Sequence, residues 1–209
     1  MLRLGVPNLL NDTTMYEMKN KTEIKKKKMR SAKECAYLAV FVALLIALQL
    51  ALSLVPGVEV VTVMFVAYAF VFGWARGMVA ATAFTLLRQF VFGIYPTVLI
   101  LYLVYFNFVA ILFGVLGAKM RQRKEDWQGK RLIWRLLLLV GIACCCTAAF
   151  TLFDNFLTPL WYGYSPRATK AYFYASLTVL FPQLLGTAVT VGALFLPLRS
   201  AFLYAKRGL

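Results

Sequence analysis

Long apolar runs alternate with short polar breaks along this chain from about residue 34 to its end. A helix needs about 20 predominantly apolar residues to cross the hydrocarbon core of a bilayer. Glycine, proline and charged residues punctuate the runs and indicate where each helix ends. The pattern predicts six transmembrane helices, over residues 35–55, 58–74, 77–92, 97–118, 132–153 and 171–198.

The predicted fold is an all-α integral membrane protein with two segments. Residues 1–33 are polar and lysine-rich, and we expect them to form a basic, disordered N-terminal segment in the cytoplasm. Residues 34–209 form the six-helix membrane domain, with a polar loop predicted over residues 154–170. In a five-span alternative the short third run, which contains Arg88, does not cross, and the C-terminus lies outside.

The charge distribution predicts the orientation of the helices. The net charge is +15, although only 15% of residues are charged and 62% are hydrophobic. Lysine and arginine cluster in the N-terminal segment, at Arg76, in the 119–135 loop and at the C-terminus, which share one face if there are six spans. Because cytoplasmic loops retain positive charge, both termini are predicted to be cytoplasmic in a multi-pass protein of a prokaryotic plasma membrane. No basic surface interleaved with aromatic residues appears, so we expect no nucleic-acid partner.

Several kinds of chemistry lack the residues they need. The chain has no histidine and no glycine-rich phosphate loop followed by lysine, which excludes ATP hydrolysis through that motif. Consecutive residues on a helix point about 100° apart, so Cys144, Cys145 and Cys146 cannot form a tetrahedral metal site alone. We expect no metal, no cofactor and no catalytic residue.

Arg88 is the most informative single residue. It lies about 16 Å along its helix from Gly77, in the predicted outer half of the membrane. An arginine at that depth is costly unless it faces a partner, faces a water-filled cavity or reaches outward to the interface. An internal salt bridge with Asp154 or Glu59, snorkelling, and contact with a bound solute all remain open.

Other polar residues fall at similar or shallower depth and predict a pocket that opens outward. An apolar cavity with a few convergent polar groups is the usual site for a small molecule. Aromatic residues such as Phe92, Tyr102 and Tyr105 would form its walls. The candidate substrate-binding residues are Gln49, Glu59, Arg88, Tyr95, Asn107, Asp154, Asn155, Trp161 and Gln183.

The first helix carries small residues at every fourth position. Ala39, Ala43, Ala47 and Ala51 form a nearly flat strip that lets another helix approach closely. The strip could pack within this chain or dock onto another membrane subunit, and the sequence leaves both interpretations open.

Several short motifs support a family resemblance. A lysine-rich N-terminus precedes the alanine strip, and a Leu-Val-Pro-Gly-Val-Glu segment follows at residues 54–59. Phe-Gly at 72–73, Phe-Gly-Ile-Tyr-Pro at 92–96 and Phe-Gly-Val-Leu-Gly at 113–117 come next. Over about residues 33–205, the chain resembles the substrate-specific S component of energy-coupling factor (ECF) transporters, which import vitamins and related micronutrients into prokaryotes.

The resemblance implies both a function and partners. An S component captures one vitamin-like solute at the outer face and works with a membrane coupling subunit and two cytoplasmic ATPases. Its coupling motif would fall on Ala39 and Ala43, extended by Ala47. The segment that covers the solute would be residues 55–59, or the longer 154–170 loop.

Two other classes of function remain open. A membrane enzyme acting on lipid or isoprenoid headgroups would need acidic residues near an interface, where the chain offers Glu59, Glu125, Asp126 and Asp154. A stand-alone carrier would transport solute without ATPases. Arg88 is the only charged residue in the interior of a predicted span, where a proton-coupled carrier usually holds an Asp, Glu or His.

Overall fold

A computed structural model describes residues 32–53, 60–123, 127 and 129–208, and all regular structure in these ranges is α-helical. The six described helices are α1 (Ala32–Leu52), α2 (Val60–Phe72), α3 (Trp74–Phe92), α4 (Pro96–Gln122), α5 (Gly129–Tyr162) and α6 (Pro166–Gly208). The prediction of an all-α fold is confirmed. Four of these helices, α1, α4, α5 and α6, are long and apolar enough to cross a membrane, which agrees with a multi-pass membrane protein.

Internal contacts divide the chain into two units, with the boundary between Val40 and Phe41 inside α1. Of the first unit, the structure describes residues 32–40, a helical stretch whose side chains are exposed or partly exposed. The second unit, Phe41–Gly208, contains the rest of α1 and the other five helices. All packing described below lies in this second unit.

Helix α2 forms the centre of the second unit. Its sequence is apolar on every side, which is typical of a helix that is surrounded by others, and its residues from Thr62 to Phe72 are all buried. It contacts α3, α4 and α6. Phe65 illustrates the packing, because its ring meets those of Phe41, Phe84 and Phe106 at centroid distances of 6.0, 5.4 and 4.6 Å.

Glycines control the break between α2 and α3. Gly73 has φ 94°, a backbone conformation that favours glycine, and its N–H donates to the carbonyl of Ala69 at 2.8 Å. Two further glycines, Gly114 and Gly117 of α4, let that helix approach this turn. A Cβ at Gly114 would overlap the backbone of Trp74, and a Cβ at Gly117 would overlap the carbonyl of Phe70.

The basic segments meet at the same end of the second unit. Arg121 in the last turn of α4 donates to the carbonyls of Phe70 and Val71, and Lys206 in the last turn of α6 donates to Val71 at 2.7 Å. These cations satisfy carbonyl groups that a helix leaves unpaired at its C-terminus. The last turns of α4 and α6 therefore lie together at the C-terminal end of α2.

The close approach of α4 to the α2–α3 turn can be tested by adding one methyl group. We expect Gly117→Ala to lower the free energy of unfolding by about 1–3 kcal/mol, because the backbone of Phe70 must move. Gly141→Ala is the matched control: nothing lies within 4 Å of its Cβ position, so it should be neutral or slightly stabilising. Equal stability of the two variants in detergent unfolding would contradict the close contact.

The predicted loop over residues 154–170 is wrong. Helix α5 continues to Tyr162, residues 163–165 form the whole connection, and α6 begins with Pro166. Polar residues such as Asp154 suggested a loop, but their side chains bond to side chains within α5 and on α6 and leave the helical backbone intact. The sequence analysis also placed the break between the second and third helices after residue 74. In the structure α3 begins at Trp74, and the break lies at Gly73.

Several sequence predictions concern residues outside the described ranges. They include most of the N-terminal segment, the 54–59 segment with Glu59, and Glu125 and Asp126.

Candidate functional site

Arg88 of α3 is buried and lies between two aromatic rings. Only 7% of the residue is exposed. Its guanidinium carbon lies 4.4 Å from the ring centroid of Tyr102 on α4 and 4.8 Å from that of Phe92, one turn further along α3. Both distances are within the range of cation–π attraction. The guanidinium therefore lies inside the protein and does not extend toward an interface, which argues against snorkelling.

Gln49 of α1 forms a hydrogen bond with one edge of this guanidinium. Arg88 Nε donates to Gln49 Oε1 at 3.0 Å, and Gln49 Nε2 donates to the hydroxyl of Tyr102 at 3.4 Å. Gln49, Arg88 and Tyr102 thus link α1, α3 and α4. Two predicted site residues, Gln49 and Arg88, are in direct contact.

A cavity of about 270 Å³ lies next to this group. Helices α1 to α5 all contribute to its walls, and polar groups converge on a mainly apolar space. Arg88 is the only charged residue among the described ones that line it. The lining residues are Leu48, Gln49, Leu52, Ser53, Val60, Val61, Thr62, Arg88, Phe92, Tyr102, Tyr105, Phe106, Thr147 and Phe150.

Part of the guanidinium has no hydrogen-bond partner among the described residues. Nη1 of Arg88 is buried and makes no hydrogen bond to the described residues. Leaving a buried donor unsatisfied is costly, and more so when the group is charged. The predicted salt bridge with Asp154 does not form, since the carboxylate of Asp154 accepts hydrogen bonds from Thr158 at 2.6 Å and Tyr172 at 2.7 Å. Arg88 therefore lines the cavity, while its Nη1 is enclosed by protein atoms and unpaired among the described residues.

A second cavity, also of about 270 Å³, lies between α5 and α6. Asp154 and Gln183, both predicted site residues, line it, and Phe150 borders both cavities. Gln183 accepts a hydrogen bond from Thr151 at 3.1 Å. The sequence analysis predicted one pocket, whereas these candidate residues line two cavities. The second one is lined by Phe150, Thr151, Asp154, Tyr172, Ala175, Ser176, Val179 and Gln183.

The remaining described candidates lie outside both cavities. Asn107 bonds to Thr82 and to the carbonyl of Leu103, and Asn155 donates to Ser176 at 2.6 Å. Tyr95 and Trp161 are about half exposed, at 54% and 52%. These contacts make Asn107 and Asn155 links between helices.

The sequence analysis missed Thr62 and Thr147, which line the Arg88 cavity. Thr147 also contacts Thr187 on α6, with 3.1 Å between the hydroxyl oxygens. Its position follows a pattern that was visible, since Thr147, Thr151 and Asn155 recur every four residues along one face of α5. All three are buried.

The bond between Asp154 and Tyr172 joins α5 to α6, and we expect it to be structural. Tyr172→Phe should lower the free energy of unfolding by about 1.5–3 kcal/mol, because a hydrogen bond to a charged group is lost. The control is Tyr174→Phe, whose side chain is 69% exposed. Loss of solute binding in Tyr172→Phe without a change in stability would instead assign ligand binding to the second cavity.

The alanine strip of α1 is on the surface. Ala39, Ala43, Ala47 and Ala51 are all exposed. Val40, next to Ala39, is 67% exposed, and Leu44, next to Ala43, is 46% exposed. This exposure does not support packing of the strip within the chain.

Comparison with protein-family models, with curated proteins and with solved structures finds no match to this chain. No group of His, Cys, Asp or Glu residues that could hold a metal occurs within the described part of the chain. The Arg88 cavity and the alanine strip are therefore the features on which a functional assignment depends.

Proposed function

We propose that this chain is a membrane-embedded substrate-binding subunit, the S component of an ATP-driven ECF importer. It would capture a vitamin or related micronutrient at the outer face of a prokaryotic plasma membrane. The observation that carries the proposal is the Arg88 cavity, in which a buried and incompletely bonded cation borders a partly open space. A protein with no use for such a site would gain stability by replacing the arginine with an apolar residue.

The alanine strip supports a partner for this subunit. Small residues permit close helix–helix approach in lipid, and here they are exposed beside Val40 and Leu44. The chain carries no phosphate-binding loop of its own, so energy would come from two cytoplasmic ATPases through a membrane coupling subunit docked on this strip.

The proposed topology has six spans with both termini in the cytoplasm. The meeting of Arg121 and Lys206 at one end supports it, because these cations end the two helices that the sequence connects to the basic loop and to the C-terminal residues. The Arg88 cavity is bordered by the C-terminal part of α3 and the N-terminal part of α4, whereas the basic end holds the opposite ends of both helices. This arrangement agrees with a solute site at the outer side.

Co-purification tests the proposal. Tagged full-length protein, extracted in mild detergent from its native host, should bring down a membrane coupling subunit and two ATPases in a stoichiometric complex. Ala39→Trp should lose that complex, whereas Ala149→Trp on α5, also at an exposed alanine, should retain it. Solute uptake into liposomes by the purified chain alone would favour the stand-alone carrier.

A further inference from the structure

The Arg88 cavity carries an inference about the chemistry of its ligand, which rests on the proposed function because it concerns the same site. A cavity of about 270 Å³ is near the lower limit of typical small-molecule sites, roughly 300–1,000 Å³. A small molecule matches this volume.

The charge of the site indicates the charge of the ligand. Arg88 is the only charged residue among the described residues that line the cavity, and it is more than nine-tenths buried. Its Nε is already bonded to Gln49, while Nη1 has no partner in the described part of the chain. A single buried guanidinium that lines a cavity is matched by one negative charge on an oxygen. A phosphate dianion would bring a second charge for which the described lining offers no cation.

The other walls indicate the rest of the ligand. Tyr105, Phe106 and Phe150 line the cavity together with leucine and valine side chains. Thr62 and Thr147 also line the cavity and carry no charge. Such walls accommodate an apolar or flat body and offer no second charged group to bind a polar substituent.

We propose that the Arg88 cavity binds a small organic carboxylate, a monoanion with an apolar or aromatic body. One carboxylate oxygen accepts a hydrogen bond from the Arg88 guanidinium, and the body lies among Tyr105, Phe106 and Phe150. Carboxylic acids have pKa values near 4 and are ionised at neutral pH. The bound anion thus neutralises the buried cation that the described residues leave incompletely bonded.

Mass spectrometry of retained small molecules tests this inference. The full-length protein is purified in mild detergent as wild type, Arg88→Gln and Arg167→Gln, the last at an exposed arginine. We expect the wild type and Arg167→Gln to release a carboxylate, and Arg88→Gln to retain about tenfold to a hundredfold less of it. Where Arg88→Gln does not fold, Arg88→Lys should show a smaller loss of the same acid.

Paired probes provide a second measurement. Thermal shifts are measured with three acids (3-phenylpropionate, indole-3-acetate and benzoate) and with the corresponding amides. Each compound is added at about 1 mM, which half-saturates a site whose Kd is about 1 mM. At least one acid should stabilise the wild type more than its amide does, and the difference should disappear in Arg88→Gln.

The outcomes separate the inference from the proposed function. A retained neutral or cationic solute would overturn the carboxylate assignment and leave a solute-binding subunit in place. Retention of an acid that does not depend on Arg88 would also overturn it. A wild-type protein that retains no solute and is stabilised by none of the three acids would contradict both proposals.

Discussion

Ala43→Trp should abolish solute uptake in cells while the purified variant binds solute with an affinity within about twofold of the wild type. The side chain of Ala43 is exposed and does not line the Arg88 cavity. An indole at this position can therefore extend into lipid without disturbing the fold. It removes the flat surface that close helix–helix approach requires, and interfaces built on small residues tolerate bulk poorly. Uptake is measured with the solute identified on the purified protein.

Ala149→Trp is the matched control for this prediction. Ala149 is an exposed alanine on α5, away from the strip, so the same substitution there should leave both uptake and binding near wild-type levels. If Ala43→Trp and Ala39→Trp both retain uptake, the strip is not the docking surface. If Ala43→Trp loses solute binding as well, its effect lies within the chain and says nothing about a partner.

Arg88→Met should lower solute affinity at least tenfold and at the same time stabilise the solute-free protein. The guanidinium is buried and its Nη1 lacks a partner among the described residues. Replacing buried charges by apolar side chains of similar length is often neutral or stabilising, by about 1–4 kcal/mol. The rings of Tyr102 and Phe92 remain to pack against the methionine. Opposite effects on stability and binding are expected where a residue is kept for function.

Arg167→Met is the control, because Arg167 is exposed and the substitution should change neither property. Unfolding in detergent is measured on protein stripped of solute, and affinity is measured separately. A clear loss of stability in solute-free Arg88→Met would mean that Arg88 supports the fold. Its contacts with Gln49 and Tyr102 would then be the reason for its position.

Much of the fold could be predicted from the spacing of apolar runs and glycines. Gly93 ends α3 with φ 96°, and Pro96 begins α4, as the sequence indicated. The approach of Gly117 to Phe70 could not be predicted, because it depends on which helices become neighbours. The long helix α5 was also missed, since Asp154 and Pro159 are typical of loops and only their tertiary contacts reveal otherwise.

The candidate site could be predicted only in part. Arg88 and Gln49 were identified by their cost at membrane depth, and they do meet. Depth alone cannot show which face of a helix a residue occupies. The sequence analysis therefore grouped Asp154 and Gln183 with Arg88, although they line a different cavity. Asn107 is at comparable depth but bonds to Thr82 and to the carbonyl of Leu103. Whether such a residue lines a cavity or bonds to another helix depends on its neighbours in the fold, which its position along a helix does not reveal.

Native mass spectrometry of the intact protein tests the central claim most directly. Full-length chain released from mild detergent should carry a single small molecule, which Ala43→Trp keeps and Arg88→Met loses. A wild-type chain that is detected without bound solute would contradict a solute-binding subunit built around Arg88. Equal amounts of bound solute in the wild type and Arg88→Met would contradict it as well.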